Sequence, residues 1–220
     1  MPPEVAVTEK FADVPSAALF PEEAAVVGRA VDKRRREFAT VRACARDTLA
    51  KLGLPPAPIL PGLRGAPQWP AGLVGSMTHC EGYRAAALSR ATDVIALGVD
   101  AEPDGVLPDG VLDLISLPEE REMLVALASG WPDQPGSSAA HWDRLLFSAK
   151  ESVYKAWFPL THRWLSFEEA VVSIGPEDGT FTARLVVPGP VVNSGPLAAF
   201  EGRWLARKGL ILTAVTLRCH

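Results

Sequence analysis

Phe147-Ser-Ala-Lys150-Glu151-Ser-Val-Tyr154-Lys155-Ala-Trp157 is the stretch on which the reading of this chain turns. Placed on a helix over residues 141–158, Trp142, Leu145, Leu146, Ala149, Val153, Ala156 and Trp157 follow the i, i+3, i+4 rhythm of a core-facing stripe. The opposite side should be polar, yet it carries Phe147, Tyr154 and Phe158 around Glu151. A helix that is apolar all round is walled in on both sides. Glu151 and Lys155 are costly to bury there unless something pairs with them. On a solvated face they would be an ordinary i, i+4 ion pair worth about 0.2–0.5 kcal/mol. The aromatic neighbours favour a site.

A second stretch strengthens that reading. Residues 94–102 alternate as a strand, with Ile95, Leu97 and Val99 on one face and Ala96, Gly98, Asp100 and Glu102 on the other. Two carboxylates thus share a face with residues small enough to leave room. Read alone, Asp100 and Glu102 are two acids ending a strand at a turn. If the helix carrying Glu151 packs across that face, three carboxylates converge and repel unless a cation lies between them. All-oxygen ligands select Mg²⁺ or Mn²⁺ over zinc, and Mg²⁺ commonly bridges to phosphates. With Lys150, Lys155 and basic residues nearby, the constellation implies a metal-bound di- or triphosphate substrate.

The basic residues lie on the clearest helix of the first half, residues 31–52, where Phe38, Val41, Ala45, Thr48 and Leu52 form an apolar stripe. Arg35, Arg42 and Arg46 run beside the stripe, and Arg34 sits one turn before Phe38 on the core-facing side. Arginine stems snorkel along many helices, but an inward guanidinium needs an anion, and a phosphate would serve. Residues 53–72, rich in Pro and Gly, form a rigid irregular loop. Gly75-Ser76-Met77-Thr78-His79-Cys80 then ends a strand. A lone His there is ordinarily a core residue, and zinc on His79, Cys80, Cys44 and Cys219 matches no standard spacing.

Further strands are expected over 73–80, 83–89, 167–174, 181–187, 199–206 and 210–217, with a short acidic-start helix over 118–128. Residues 1–18 read as an extended lead-in, and residues 130–139 as a mobile loop without a chemical role. Each half runs helices first and then a strand meander, which favours α+β over a parallel α/β sheet. The turn-rich crossing after Pro103 divides the chain into 1–103, bearing the arginine-rich helix and the first two carboxylates, and 104–220, bearing the helix of Glu151 and a sheet.

With 220 residues the chain can build a real core. A net charge of −4 argues against a general nucleic-acid or anionic-membrane binder. Three cysteines without a CxxC pair fit reduced thiols. Met1-Pro-Pro-Glu lacks the basic, then apolar, pattern of a signal peptide, and no segment is apolar for long enough to span a bilayer. A cytoplasmic protein is expected.

Gly98-Val-Asp100-Ala-Glu102 followed by Phe147-Ser-Ala-Lys150-Glu151-Ser-Val-Tyr154-Lys155 resembles the paired signature of 4′-phosphopantetheinyl transferases. The long single-chain type acting on polyketide and nonribosomal peptide carrier proteins, especially its actinobacterial members, is the nearer likeness. The resemblance extends over Arg34-Arg35-Arg36-Glu37-Phe38, Gly62-Leu-Arg64-Gly65 and residues 75–80. It implies an α+β, pseudo-duplicated fold of two halves, each with helices on a small, mainly antiparallel sheet, and an active site between them. It further implies that Asp100, Glu102 and Glu151 hold Mg²⁺ against the pyrophosphate of coenzyme A, the substrate. Lys150 and Lys155 would contact phosphates, and Arg34, Arg42 and His79 the 3′-phosphate end. Gly62, Arg64 and Ser76, Met77 and Thr78 would line the nucleotide site, and Tyr154 and Trp164 would flank the pantetheine arm. Glu151 would be the general base. Related sequences often carry lysine where this one has Pro61, so that phosphate contact would be either lost or taken over by Arg64. The partners implied are apo acyl and peptidyl carrier proteins, met by a monomer in siderophore or other secondary metabolism. Two other readings of the residues remain at this point: a Mg²⁺-dependent nuclease, and a carrier-protein or nucleotide-binding module without chemistry.

Overall fold

A computed structural model describes residues 1–130, 141–193 and 195–219. The first part contains β1 (Ala6–Lys10), α1 (Pro21–Val26), α2 (Asp32–Lys51), β2 (Leu60–Pro61), β3 (Pro67–Gln68), β4 (Leu73–Cys80), β5 (Tyr83–Arg90) and β6 (Val94–Pro103). There follow α3 (Val111–Ile115), α4 (Pro118–Gly130), α5 (Trp142–Thr161), β7 (Ala170–Gly175), β8 (Thr180–Leu185) and β9 (Val191–Val192). The chain closes with β10 (Gly195–Pro196), β11 (Ala199–Arg207) and β12 (Leu210–Arg218). This is a mixed fold of helices and antiparallel sheets. Apart from Gly130, which ends α4, the expected loop over 130–139 lies outside the described residues.

The sheets do not divide the chain at Pro103. One sheet has the order β1-β5-β4, and the larger runs β6-β12-β11-β8-β7, antiparallel throughout. The strand bearing Asp100 and Glu102, which the sequence reading placed in the first half, is hydrogen-bonded into the second sheet from Val94↔Arg218 to Pro103↔Leu210. Alternation identified β6 as a strand, but alternation does not name the neighbour that completes its ladder. Strand β1, read as lead-in, pairs with β5 from Ala6↔Leu88 to Lys10↔Arg84. Its polar AVTEK sequence gives little local signal, and the pairing is long-range.

Strand β5 is buried on both faces, as its near-continuous apolar run requires. Ala86 and Leu88 pack against Cys44, Ala45 and Leu49 of α2, while Ala87 meets Leu97 and Val99 of β6. Between β4 and β6 the described residues show no strand ladder; side-chain hydroxyls join them instead. Ser76 Oγ accepts the Val99 amide at 3.0 Å, and Thr78 Oγ1 accepts the Ala101 amide at 3.0 Å.

Helix α5 lies against the other face of β6. All seven residues of its expected stripe are buried in the largest core cluster, with Val172, Phe181, Phe200 and Ile211 of the sheet. The approach is closest at Gly98, where a Cβ would lie 1.9 Å from the Ser152 carbonyl oxygen and 2.9 Å from the Ala156 nitrogen. Only glycine permits that separation. A buried ion pair ties α5 to the shorter α4. Lys150 Nζ donates to Glu120 Oε2 at 2.8 Å and to the Phe167 carbonyl at 2.6 Å, while Glu120 Oε1 accepts the Val172 amide at 2.8 Å. Among the described residues no helix is long and apolar enough to cross a membrane.

Two stability predictions follow from this packing. Gly98→Ala should cost at least about 3 kcal/mol, lowering the calorimetric Tm by roughly 6–12 °C. A Tm unchanged within about 2 °C would show that α5 can back away without loss. Lys150→Met leaves the Glu120 charge buried and unpaired and should cost about 3–5 kcal/mol in chemical denaturation. An unchanged midpoint would mean that the pair does not anchor the helix.

Candidate active site

The close approach at Gly98 sets the register between strand and helix, and so brings Asp100 beside Lys155. Lys155 Nζ donates to Asp100 Oδ1 at 2.7 Å and to the Val99 carbonyl at 3.1 Å. Ser148, two turns earlier on α5, donates to Asp100 Oδ2 at 2.8 Å, and Thr78 donates to Oδ1 at 3.3 Å. Asp100 is buried, and its desolvation is offset by a cation and two hydroxyls. Neither Ser148 nor its neighbour Thr213, 2.9 Å away, was singled out from the sequence. The available signal was a serine inside an otherwise core-facing helix.

Glu102 lies two residues along the same strand face and is held by Arg144 at 3.0 Å. Burial raises its pKa, and Asp100 adds to the rise. Arg144 also donates to the carbonyls of Gly105 and Val106, at 3.1 and 2.6 Å. It thereby clamps the crossing that leaves β6. Glu151 makes no hydrogen bond or ion pair among the described residues. Burial raises its pKa, followed by the charge of Asp100, against which Lys155 acts. Asp100 is therefore the common neighbour of the other two carboxylates. Among the described residues no three His, Cys, Asp or Glu side chains close into a metal-holding cluster; cationic side chains instead meet Asp100 and Glu102.

Glu151, Tyr154, Lys155 and Phe158 form one wall of a cleft of about 680 Å³. Gly75 to His79 of β4 form a second side, Arg34, Glu37, Phe38 and Arg42 of α2 a third, and Pro61 and Arg64–Pro67 complete it. This explains the apolar outer face of α5. Phe158 and Tyr154 face a cleft, with the Tyr154 ring 4.8 Å from Trp164 and 5.7 Å from Phe158. The Arg64 guanidinium lies 5.3 Å from the Trp164 ring. Arg64 holds φ 53°, a left-handed conformation uncommon outside glycine. The Tyr154 hydroxyl is buried without a hydrogen-bond partner in the described structure.

At the α2 end, Arg34 Nη1 donates to His79 Nε2 at 2.6 Å, which places the ring proton on Nδ1. Burial, then Arg34, hold the His79 pKa below its ordinary value. Arg34 is exposed at the mouth, not directed into the core as its helical position implied. The buried one is Arg42, stacked on Phe38 with its guanidinium carbon 3.2 Å from the ring centroid. Burial lowers its pKa to about 10.

Two expected contacts sit elsewhere. Lys150 is not on the cleft; helical geometry turns it about 100° from Glu151, into the Glu120 pair, so its charge serves packing. Gly62 is not among the lining residues either. Its amide donates to the Ala66 carbonyl at 2.7 Å and closes the turn that presents Arg64. Ser76, Met77 and Thr78 do line the cleft, although the Ser76 and Thr78 hydroxyls are engaged with β6.

Comparison with known proteins gives concordant results. Residues 22–89 match the family model described as the 4′-phosphopantetheinyl transferase N-terminal domain. Residues 96–191 match that of the 4′-phosphopantetheinyl transferase superfamily. The chain is 61% identical over 219 residues to 4′-phosphopantetheinyl transferase Svp of Streptomyces mobaraensis, covering 98% of this chain and 87% of that one. It is 49% identical over 220 residues to 4′-phosphopantetheinyl transferase PptT of Mycobacterium tuberculosis, covering 97% and 92%. To 4′-phosphopantetheinyl transferase Npt of Nocardia iowensis it is 51% identical over 203 residues, covering 89% and 87%. Likeness of this extent leaves no ground for the nuclease reading, and the chain belongs to the 4′-phosphopantetheinyl transferase superfamily.

Proposed function

We propose that this enzyme transfers the 4′-phosphopantetheine group of coenzyme A to a serine of apo acyl and peptidyl carrier proteins with the help of Mg²⁺, releasing 3′,5′-ADP. The observation that carries the site assignment is Glu151, an acid without a bonded partner on the cleft wall beside the Asp100–Lys155 pair. Coenzyme A would lie along the cleft with its 3′-phosphate between Arg34, Arg42 and His79. The segment from Ser76 to Thr78 and Arg64 would line the nucleotide, and Tyr154 and Trp164 the pantetheine arm. Because Pro61 offers no cation, Arg64 would supply that contact.

Asp100, Glu102 and Glu151 suit a hard divalent cation, since every donor is a carboxylate oxygen, and burial, then the charge of Asp100, already raises the pKa of Glu102 and of Glu151. Bound there, Mg²⁺ (or Mn²⁺) would neutralise charge on the pyrophosphate. Lys155, whose ammonium rests on Asp100, is positioned to turn to a phosphate oxygen. The carrier serine Oγ attacks the β-phosphorus, its proton passes to the Glu151 carboxylate, and the bond to the 3′,5′-ADP oxygen breaks. A carboxylate made more basic by burial is suited to accept that proton. Positioning and charge neutralisation would supply most of the acceleration.

The chain segments 1–103 and 104–220 would correspond to halves of a pseudo-duplicated fold with the cleft between them, the last strand of the first segment, β6, being lent to the sheet of the second. A monomer would then be self-sufficient. Carrier docking by charge complementarity near the cleft, a cytoplasmic location and service to secondary metabolism complete the reading. Binding of nucleic acid or membrane forms no part of it.

Incubation with apo carrier, coenzyme A and Mg²⁺ should add the mass of phosphopantetheine to the carrier. No added mass on any of several carriers would sink the reading. Removal of divalent cations by EDTA should stop transfer and excess Mg²⁺ restore it; full activity in EDTA would remove the metal from the scheme. Glu151→Ala should keep the wild-type Tm and lose transfer by about 10³-fold. A collapsed Tm would point to a structural role. Arg34→Ala should weaken binding of coenzyme A more than that of 3′-dephospho-coenzyme A, and equal losses would take Arg34 off the 3′-phosphate.

A further inference from the structure

Glu23 is wholly buried, yet it lies outside the cleft, on α1, where Phe20-Pro21-Glu22-Glu23 reads in the sequence only as a helix start. Burying an ionised carboxylate is costly unless it is paired and hydrogen-bonded, and here both oxygens are engaged. Oε2 accepts the Phe20 amide at 3.0 Å, closing the N-terminal turn of α1, and also Arg46 Nη1 at 3.0 Å. Oε1 reaches across to accept the Ile59 amide at 2.8 Å. Ile59 is itself fully buried, and its carbonyl accepts Nε of Arg42 at 3.2 Å. Both polar groups of one residue are therefore held, one by Glu23 and the other by Arg42.

The consequence for Arg42 is orientation. With Nε bonded to Ile59 and the guanidinium plane stacked on Phe38, the group has little rotational freedom left. Its two Nη groups have no acceptor among the described residues, and Arg42 borders the cleft. Two residues beyond Ile59 the chain itself becomes cleft lining at Pro61, then at Arg64. We infer that Glu23 is a positioning residue for the nucleotide end of the cleft, fixing the Ile59 peptide so that Arg42 presents its free edge to the 3′-phosphate. The inference rests on the assignment of Arg42 to that phosphate. A cap for α1 alone would not require the second carboxylate oxygen to cross to Ile59. Arg46 Nη1, 3.0 Å from Oε2, supplies a countercharge beside the carboxylate that holds the Ile59 amide.

The test compares Kd for coenzyme A and for 3′-dephospho-coenzyme A by calorimetry, on the full chain. Glu23→Leu, which removes the acceptor of the Ile59 amide, should weaken coenzyme A about tenfold while the dephospho compound stays within about twofold. Transfer at saturating coenzyme A should keep its kcat. Arg46→Gln, which removes the countercharge but not the Ile59 bond, should lower Tm and keep the preference for coenzyme A. Equal losses for both ligands in Glu23→Leu, no loss for either, or the same loss of preference in Arg46→Gln would overturn the inference. Should Glu23→Leu alone fail to fold, Glu23→Leu with Arg46→Leu removes the pair together, and the same comparison decides. A wild-type protein with no preference for the 3′-phosphate, or an Arg42→Gln variant that retains the full preference, would instead defeat the assignment of Arg42 and take this inference with it.

Discussion

The chemistry of this chain depends on how near one helix can come to one strand. At Gly98 the backbone of β6 meets the backbone of α5 with no side chain between them. That contact sets the register in which Ser148 and Lys155 both reach Asp100. A helix held off by even a methyl group would carry the ammonium of Lys155 away from a bond that is now 2.7 Å long. It would also shift Glu151 relative to the same carboxylate. The glycine therefore sets the Asp100–Lys155 contact by what it lacks.

Around that contact, charges divide into those that are satisfied inside the protein and those that are not. Lys150 and Glu120 neutralise each other in the core, and Glu23 does the same with Arg46. Such pairs contribute little net stability, because desolvation offsets their attraction, but they define position. Toward the cleft the matching is incomplete. Among the described residues Glu151 has no hydrogen-bond or ion-pair partner, the Arg42 Nη groups have no acceptor, and Arg34 leans on a histidine whose protonated form burial disfavours. A site for a polyanion and a metal should have this character, since its missing partners arrive with the substrate.

Much of this was legible in residues 94–102 and 142–157. Their periods assigned a strand and a helix correctly, and the burial of Trp142 through Trp157 follows the stripe read from spacing. The α2 helix at 32–51 was equally plain. What could not be read was pairing. The polar strand β1 and the membership of β6 in the larger sheet are long-range outcomes, decided by which ladder is completed. Direction was the second blind spot. Helical spacing places Lys150 beside Glu151 in sequence, but the side chains diverge, and only the position of α4 shows that Glu120 receives the lysine. Arg34 and Arg42 likewise exchanged their expected degrees of exposure. Glu23 showed in the sequence only as an acid in a helix start, because its reach to the Ile59 peptide lies in a loop that has no periodicity.

The seam between β4 and β6 has a consequence for how such proteins can vary. Backbone ladders are indifferent to most substitutions, because every residue but proline carries the same donor and acceptor. Here two hydroxyls, those of Ser76 and Thr78, stand in for the ladder. The joint between the sheets is therefore written in side chains and open to inheritance one codon at a time. Lineages can widen or tighten the groove along β4 by changing two small residues, while the interior of each sheet stays untouched.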